Sequence, residues 1–220
     1  MNFNFEFYGN ISFGSGIRFD LNKIIQLNNW KKSCFVIDSG IVNLEIIKNY
    51  LDSISIDKIL VECDISEPTY EKLEEKRLLV MNQKIDVFVG IGGGSALDMA
   101  KGLSVLHSNL KPAIYYRGFD KFTKPIPPIV ALPTTAGTGS EITPNASFID
   151  SNEKRKMGIN GEKIRPTYAF LDPELTISCP RNPTISAGVD SLVHASEAFV
   201  AKKTNRMAQF FAKKGFNLVL

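Results

Sequence analysis

The sequence predicts an α/β fold built on a parallel sheet, and three observations point there. Short, continuous apolar runs alternate with segments of helical periodicity over residues 34–132. Such runs mark strands buried on both faces, as in a sheet sandwiched between helices. Three polar turns, 38–40, 92–95 and 134–141, each follow one of these runs. Right-handed crossovers would bring all three to the carboxyl edge of the sheet, where open α/β sheets bind ligands. From residue 183 onward the pattern is helical only.

The elements follow in order. Phe3, Phe5 and Phe7 alternate with Asn4, Glu6 and Tyr8, which predicts a strand over 3–8. Gly14-Ser15-Gly16 breaks it, and a helix is expected within 20–27. Cys34-Phe35-Val36-Ile37 is the next strand and ends at Asp38-Ser39-Gly40. Ile41, Leu44, Ile47 and Leu51 recur at helical spacing. Ile59-Leu60-Val61 reads as a strand and 70–81 as a charged amphipathic helix. The strand 87–91, the helix 96–106 and the strand 129–132 complete the regular part. Beyond Glu141, two short strands at 145–150 and 156–160 flank a charged hairpin. A strand at 168–171 leads into a short turn or helix at Asp172-Pro173-Glu174-Leu175. The change of texture at 179–183 divides the chain into an α/β domain over 1–179 and the beginning of an all-helical domain over 180–220.

Composition narrows the class. The chain has 220 residues, 44% apolar and 22% charged, enough to build a core without disulfides or metal staples. A net charge of +3 is too small to argue for nucleic acid or an anionic membrane surface. Cys34, Cys63 and Cys179 are odd in number and far apart, which fits a reducing compartment. No leader pattern opens the chain and no apolar run approaches the ~18 residues of a membrane span, so a cytoplasmic protein is expected. The last residues, Phe216-Asn217-Leu218-Val219-Leu220, are apolar with no Gly or Pro stop. The final helices carry more apolar surface than two helices can bury, so the chain reads as the N-terminal portion of a longer protein.

The motifs carry the chemistry. Gly92-Gly93-Gly94-Ser95 lies between a strand and a helix. Glycines permit close backbone approach, and a helix start offers free amides and positive potential to an anion such as a pyrophosphate. Ser95 is a candidate cap for that helix, with Asp98 in its first turn. Asp38 could accept bonds from ribose hydroxyls and repel a 2′-phosphate, which favours NAD over NADP, or it could cap the following helix; the two roles are compatible. Thr134, Thr135, Thr138 and Ser140 supply hydroxyls for phosphates or ribose, or for local turn bonds. Asp190 and His194 stand four apart on one helix face, either as a surface pair or as the start of an iron or zinc site. Two donors fall short of the three or more protein ligands a catalytic metal normally takes. The other histidine, His107, has nothing in the sequence to place it nearby. Lys156, by itself, reads as a surface lysine.

Five ordered motifs resemble those of the iron-containing (group III) alcohol dehydrogenases. They are Asp38 after its strand, the run 92–101, Pro133 to Glu141, Leu171-Asp172-Pro173-Glu174, and the run 188–198. The resemblance implies an α/β nucleotide-binding domain, a helical domain and an active site in the cleft between them. It implies that Asp38 meets the adenosine ribose, that Gly93, Gly94 and Ser95 hold the pyrophosphate, and that Thr134, Thr135 and Thr138 line the rest of the cofactor. It sets Lys156 near the nicotinamide end, and makes Asp190 and His194 the first two of four metal ligands, iron ahead of zinc. The other two, histidines downstream in the family, have no counterpart in these 220 residues. The implied reaction is metal-assisted, NAD(P)-dependent hydride transfer between a small alcohol and its aldehyde or ketone. The rivals are a related reductase or dehydrogenase (phosphonoacetaldehyde, maleylacetate or glycerol), a dehydroquinate synthase relative, or an inactive nucleotide-binding fragment. Whether the protein forms a homo-oligomer is left open.

Overall fold

The computed structural model describes residues 9–64 and 66–220. The strand expected over 3–8 lies outside these residues. Within them the strands are β1 (Asn10–Phe13), β2 (Lys32–Asp38), β3 (Asp57–Cys63), β4 (Val87–Gly92), β5 (Gly118–Phe119), β6 (Ile129–Pro133), β7 (Asn145–Asp150), β8 (Arg155–Asn160) and β9 (Tyr168–Leu171). The α-helices are α1 (Leu21–Leu27), α2 (Glu45–Asp52), α3 (Tyr70–Arg77), α4 (Gly94–Ser108), α5 (Arg181–Val200) and α6 (Arg206–Val219).

Six strands form one sheet in the order β1-β9-β6-β4-β2-β3, and every pairing in it is parallel. Side chains alternate between two cores. Cys34, Val36, Phe88 and Ile129 join α3 and α4 on one face, while Phe35, Ile37, Val89 and Val130 join α1 and α2 on the other. This two-sided burial is why the strands read as unbroken apolar runs rather than alternating ones. Close packing of α4 on β4 uses Gly90, where a methyl group would meet Leu97 Cδ2 at 3.0 Å.

The order of strands carries a functional consequence. From β2 the chain crosses to β3 on one side, and from β3 it returns to β4 on the other side of β2. With right-handed crossovers the linking helices fall on opposite faces. Accordingly α2 packs in one core and α3 and α4 in the other. The gap between the carboxyl ends of β2 and β4 is thus a topological switch point, the crevice where such sheets accept ligands.

A smaller sheet, β5-β8-β7, contains the charged hairpin, with β7 and β8 antiparallel. The helical end consists of α5 and α6, separated by a break at 201–205. None of the residues of α5 is fully buried and α6 buries Ala212 alone. Val189, Val193, Phe199, Phe210 and Phe211, which carry the apolar pattern in the sequence, are exposed.

Several boundaries differ from those expected. The periodic segment at 41–51 is helical only from Glu45, because 39–43 form turns that receive two amides on the Asp38 carbonyl. The helix expected to Met81 ends at Arg77, where basic Lys76 and Arg77 complement the carboxyl end. Among the described residues no helix is long and apolar enough to cross a membrane.

Candidate functional site

The site begins at the carboxyl ends of β2, β4 and β6. Gly92, the last residue of β4, has φ +149°, and a methyl there would sit 2.9 Å from Asp38 Cβ and 2.7 Å from Ala96 Cβ. Only glycine suits both the backbone angle and the space. The turn after β2 and the turn after β4 are therefore in direct contact. The next strand joins them: the Thr134 amide donates to the Gly92 carbonyl at 3.0 Å, and Thr135 lies beside Gly93. Thr138 lies closer still, with its Cγ2 2.8 Å from where a Gly94 side chain would start.

Helix α4 starts at Gly94 with Gly93 as its N-cap, and no side chain caps it. Ser95 lies inside the first turn and does not cap the helix, contrary to expectation; Asp98 lies beyond that turn. The chain enters the helix through extended Gly93, which has no side-chain oxygen to offer. The opening amides of a 15-residue helix thus face the polar turn unprotected. Asp38 does not cap α2, whose N-cap is Leu44; its carboxylate accepts from the Gly40 amide at 2.8 Å and closes its own turn.

A cleft of about 720 Å³ opens at this edge. Gly94, Ser95 and Thr138 line one wall, Lys156 from β8 another, and Asp190, His194 and Glu197 from α5 a third. With Asp98 and Ser140, which also line it, the cleft brings together eight of the residues named from the sequence, although they come from four separate segments. Gly93 and Thr135 lie at the adjoining rim and Asp38 at the neighbouring turn, while Thr134 is buried where it pairs with Gly92. Lys156 is half-exposed, lines the cleft and is paired with Glu67 across its mouth at 2.8 Å.

On α5, the Asp190 carboxylate and the His194 imidazole are 3.6 Å apart and both half-exposed. A carboxylate oxygen and an imidazole nitrogen suit iron or zinc in type. They fall short in number: among the described residues no group of three or more His, Cys, Asp or Glu could hold a metal. His107, half-buried, meets the Phe88 ring edge-on with centroids 5.7 Å apart and does not line the cleft.

Lys101, given no role of its own in the sequence reading, lies just beneath the cleft, and Asp98, read there only as a first-turn residue, lines it. Lys101 is fully buried, and its ammonium donates to Ser140 Oγ at 2.8 Å and to the carbonyls of Thr143 and Asn145 at 3.1 and 2.7 Å. Burial draws its pKa down to about 8, opposed by the nearby carboxylates of Asp98 and Glu141. Asp98 accepts from Ser140 Oγ at 2.6 Å and the Ser147 amide at 2.8 Å; burial raises its pKa above the ordinary carboxylate range. Ser140, expected among the phosphate-facing hydroxyls, instead donates its proton inward. The signal was present in the sequence: a lysine on the apolar face of a helix, three residues after an aspartate, has no solvent to go to.

Comparison with known proteins bears on this geometry. The family model for iron-containing alcohol dehydrogenase matches residues 9–173. The chain is 36% identical over 193 residues to an NAD-dependent methanol dehydrogenase of Bacillus methanolicus, covering 86% of this chain and 50% of that protein. It is 34% identical over 210 residues to alcohol dehydrogenase 4 of Schizosaccharomyces pombe, covering 94% and 50%. Among solved structures, sulfoacetaldehyde reductase from Bifidobacterium kashiwanohense in complex with NAD+ superposes with a TM-score of 0.91 at 26% identity, over 100% of this chain and 59% of that one. A 1,3-propanediol oxidoreductase superposes with a TM-score of 0.90 at 27% identity, over 100% and 58%. The chain spans about half the length of the curated relatives it matches. With the family match running through most of its length, the chain belongs to the iron-containing alcohol dehydrogenase family.

Proposed function

We propose that this chain forms the dinucleotide-binding portion of an NAD-dependent, metal-assisted alcohol dehydrogenase, acting on a small alcohol or its carbonyl counterpart. The observation that carries this reading is the uncapped start of α4 against Thr138, in a cleft that also holds Lys156, Asp190 and His194. Gly94 and Ser95 present main-chain amides to a pyrophosphate, and the helix dipole adds positive potential there. Thr135 and Thr138 offer hydroxyls along the rim with Thr134 buried behind them, and the Lys156 ammonium waits at the far wall, toward the nicotinamide. Residues 180–220 begin the helical domain that closes the cleft. Asp190 and His194 supply two ligands of a divalent ion, iron ahead of zinc, whose chemistry there is Lewis-acid polarisation of the substrate oxygen. Two ligands do not complete that centre, so hydride transfer is assigned to the longer protein and dinucleotide binding to these residues. The match to a sulfoacetaldehyde reductase supports a second reading of the substrate, a small anionic aldehyde. Buried, unpaired Cys34 and Cys63 suit a reducing compartment, the cytoplasm.

The test is direct titration. NADH fluorescence rises and saturates as this chain is added; a flat signal at saturating protein removes the reading. A second result concerns the choice of nucleotide. Asp38→Gly weakens NADH binding and improves NADPH binding, shifting their ratio by about tenfold or more, since a carboxylate beside the ribose rewards hydroxyls and repels a phosphate. Equal effects on the two nucleotides would separate Asp38 from the ribose.

A further inference from the structure

We propose that Lys101 is a positioning residue for the dinucleotide site: from inside the domain it fastens segment 138–145 against the start of α4. The proposal rests on the dinucleotide reading above, because it assigns that segment as one wall of the cofactor cleft.

Residues 134–144 contain neither strand nor helix, yet Thr138 is held in contact with Gly94. The backbone bonds at 134 and 142 anchor the segment's entry and one turn: Thr134 to Gly92, and Ile142 to Gly139. From outside, the Gly161 amide donates to the Pro144 carbonyl at 3.0 Å, Arg165 to the Ile142 carbonyl at 2.5 Å and Ser191 Oγ to the Ala136 carbonyl at 3.3 Å; Lys101 ties the segment from inside the domain. All three of its ammonium hydrogen bonds go to this stretch: Ser140 Oγ, the Thr143 carbonyl and the Asn145 carbonyl. A lysine ammonium has three donors, so its capacity is spent there. Asp98, one helical turn earlier, balances the charge with its Oδ1 3.6 Å from the ammonium. The same carboxylate accepts from Ser140 Oγ and from the Ser147 amide at the start of the small sheet. Helix α4 thus begins with amides facing the cleft and, one turn on, carries the pair that pins the opposing wall. With its side chain sealed from solvent, Lys101 does not touch a nucleotide; it acts through Ser140 and the carbonyls it holds. A buried ammonium costs several kcal/mol unless fully partnered, and this one is satisfied only while the segment stays in place. The requirement works in both directions, since the segment is ordered by the charge that needs it.

The experiment compares the wild-type chain with Lys101→Met and Ser140→Ala, by amide hydrogen exchange without nucleotide and by NADH titration. In Lys101→Met the amides of 138–147 exchange about tenfold faster or more, those of 87–92 keep wild-type rates, and the NADH dissociation constant rises about tenfold, as loss of charge-assisted bonds implies. Ser140→Ala keeps the lysine and two of its three acceptors, lowers the melting temperature less than Lys101→Met does, and moves both readouts in the same direction by less. Wild-type exchange over 138–147 in both variants would overturn the proposal. So would acceleration spread evenly over 87–92, which would make the lysine a general scaffold residue. Faster local exchange with unchanged NADH affinity would refute positioning while leaving the tie itself. A wild-type chain that binds no NADH defeats the functional reading instead, and exchange still decides whether Lys101 holds the segment.

Discussion

Gly94→Val reduces NADH affinity more than about 100-fold, equivalent to about 2.7 kcal/mol, while the melting temperature stays near wild type. The reason lies in what a side chain would meet. A Cβ on Gly94 stands 2.8 Å from Thr138 Cγ2 and 3.2 Å from its Oγ1, so the branched side chain fills the gap between the helix start and the threonine segment. In the proposed function, that gap is where a pyrophosphate reaches the main-chain amides. Stability is spared because Gly94 is the first residue of α4 and valine is a better helix former than glycine. Displacing Thr138 costs little, since its side chain lies at the cleft wall. Fluorescence titration gives the affinity and thermal melting gives the fold. Wild-type affinity in Gly94→Val would mean that the nucleotide does not pass over this helix start.

Gly137→Val has the larger structural effect. A Cβ there would lie 2.5 Å from the Ala187 carbonyl oxygen and 2.7 Å from Ala187 Cα. These are backbone atoms of α5, so the clash cannot be relieved by turning a side chain. The helix has little else to hold it: none of its residues is fully buried, and Ser191 Oγ to the Ala136 carbonyl, at 3.3 Å, is a long bond near the same contact. Overpacking of this kind costs about 1–3 kcal/mol, which is enough to release an element docked so lightly. Residues 181–200 lose exchange protection and become sensitive to limited proteolysis, while β2, β4 and β6 keep theirs. Asp190 and His194 leave the cleft with the helix, and NADH binding to the opposite wall falls much less than in Gly94→Val. Full protection of α5 in the variant would show that the contact at Gly137 does not hold it.

Much of this site could be read from the chain, for a specific reason. The glycine turn, the threonine segment and Asp38 each follow an apolar strand, and in a parallel sheet all such turns share one edge. That these turns would share an edge followed from this rule without any knowledge of strand order; that Gly94 and Thr138 would meet needed β4 to lie beside β6. Capping was misjudged. Ser95 has a good capping side chain, but the helix begins two residues earlier than a serine cap would require, with Gly93 in the cap position. Asp38 likewise looked able to cap α2, but the turns at 39–43 delay that helix to Glu45. Ser140 looked like one more hydroxyl for a ligand until its neighbours were seen to be Asp98 and Lys101.

The sequence by itself determined the parallel α/β architecture, the glycine turn and the helical close of the chain. These depend on periodicity and turn chemistry within a few residues, which the chain states locally. Only the tertiary structure decided that β4 lies beside β2 rather than β3, creating the crevice, and that Lys101 points inward to hold the threonine segment. It also decided that Lys156 and the Asp190–His194 pair share a cleft with Gly94. Contacts between segments so far apart are set by how layers pack and which buried charges must find partners, and no local pattern encodes that outcome.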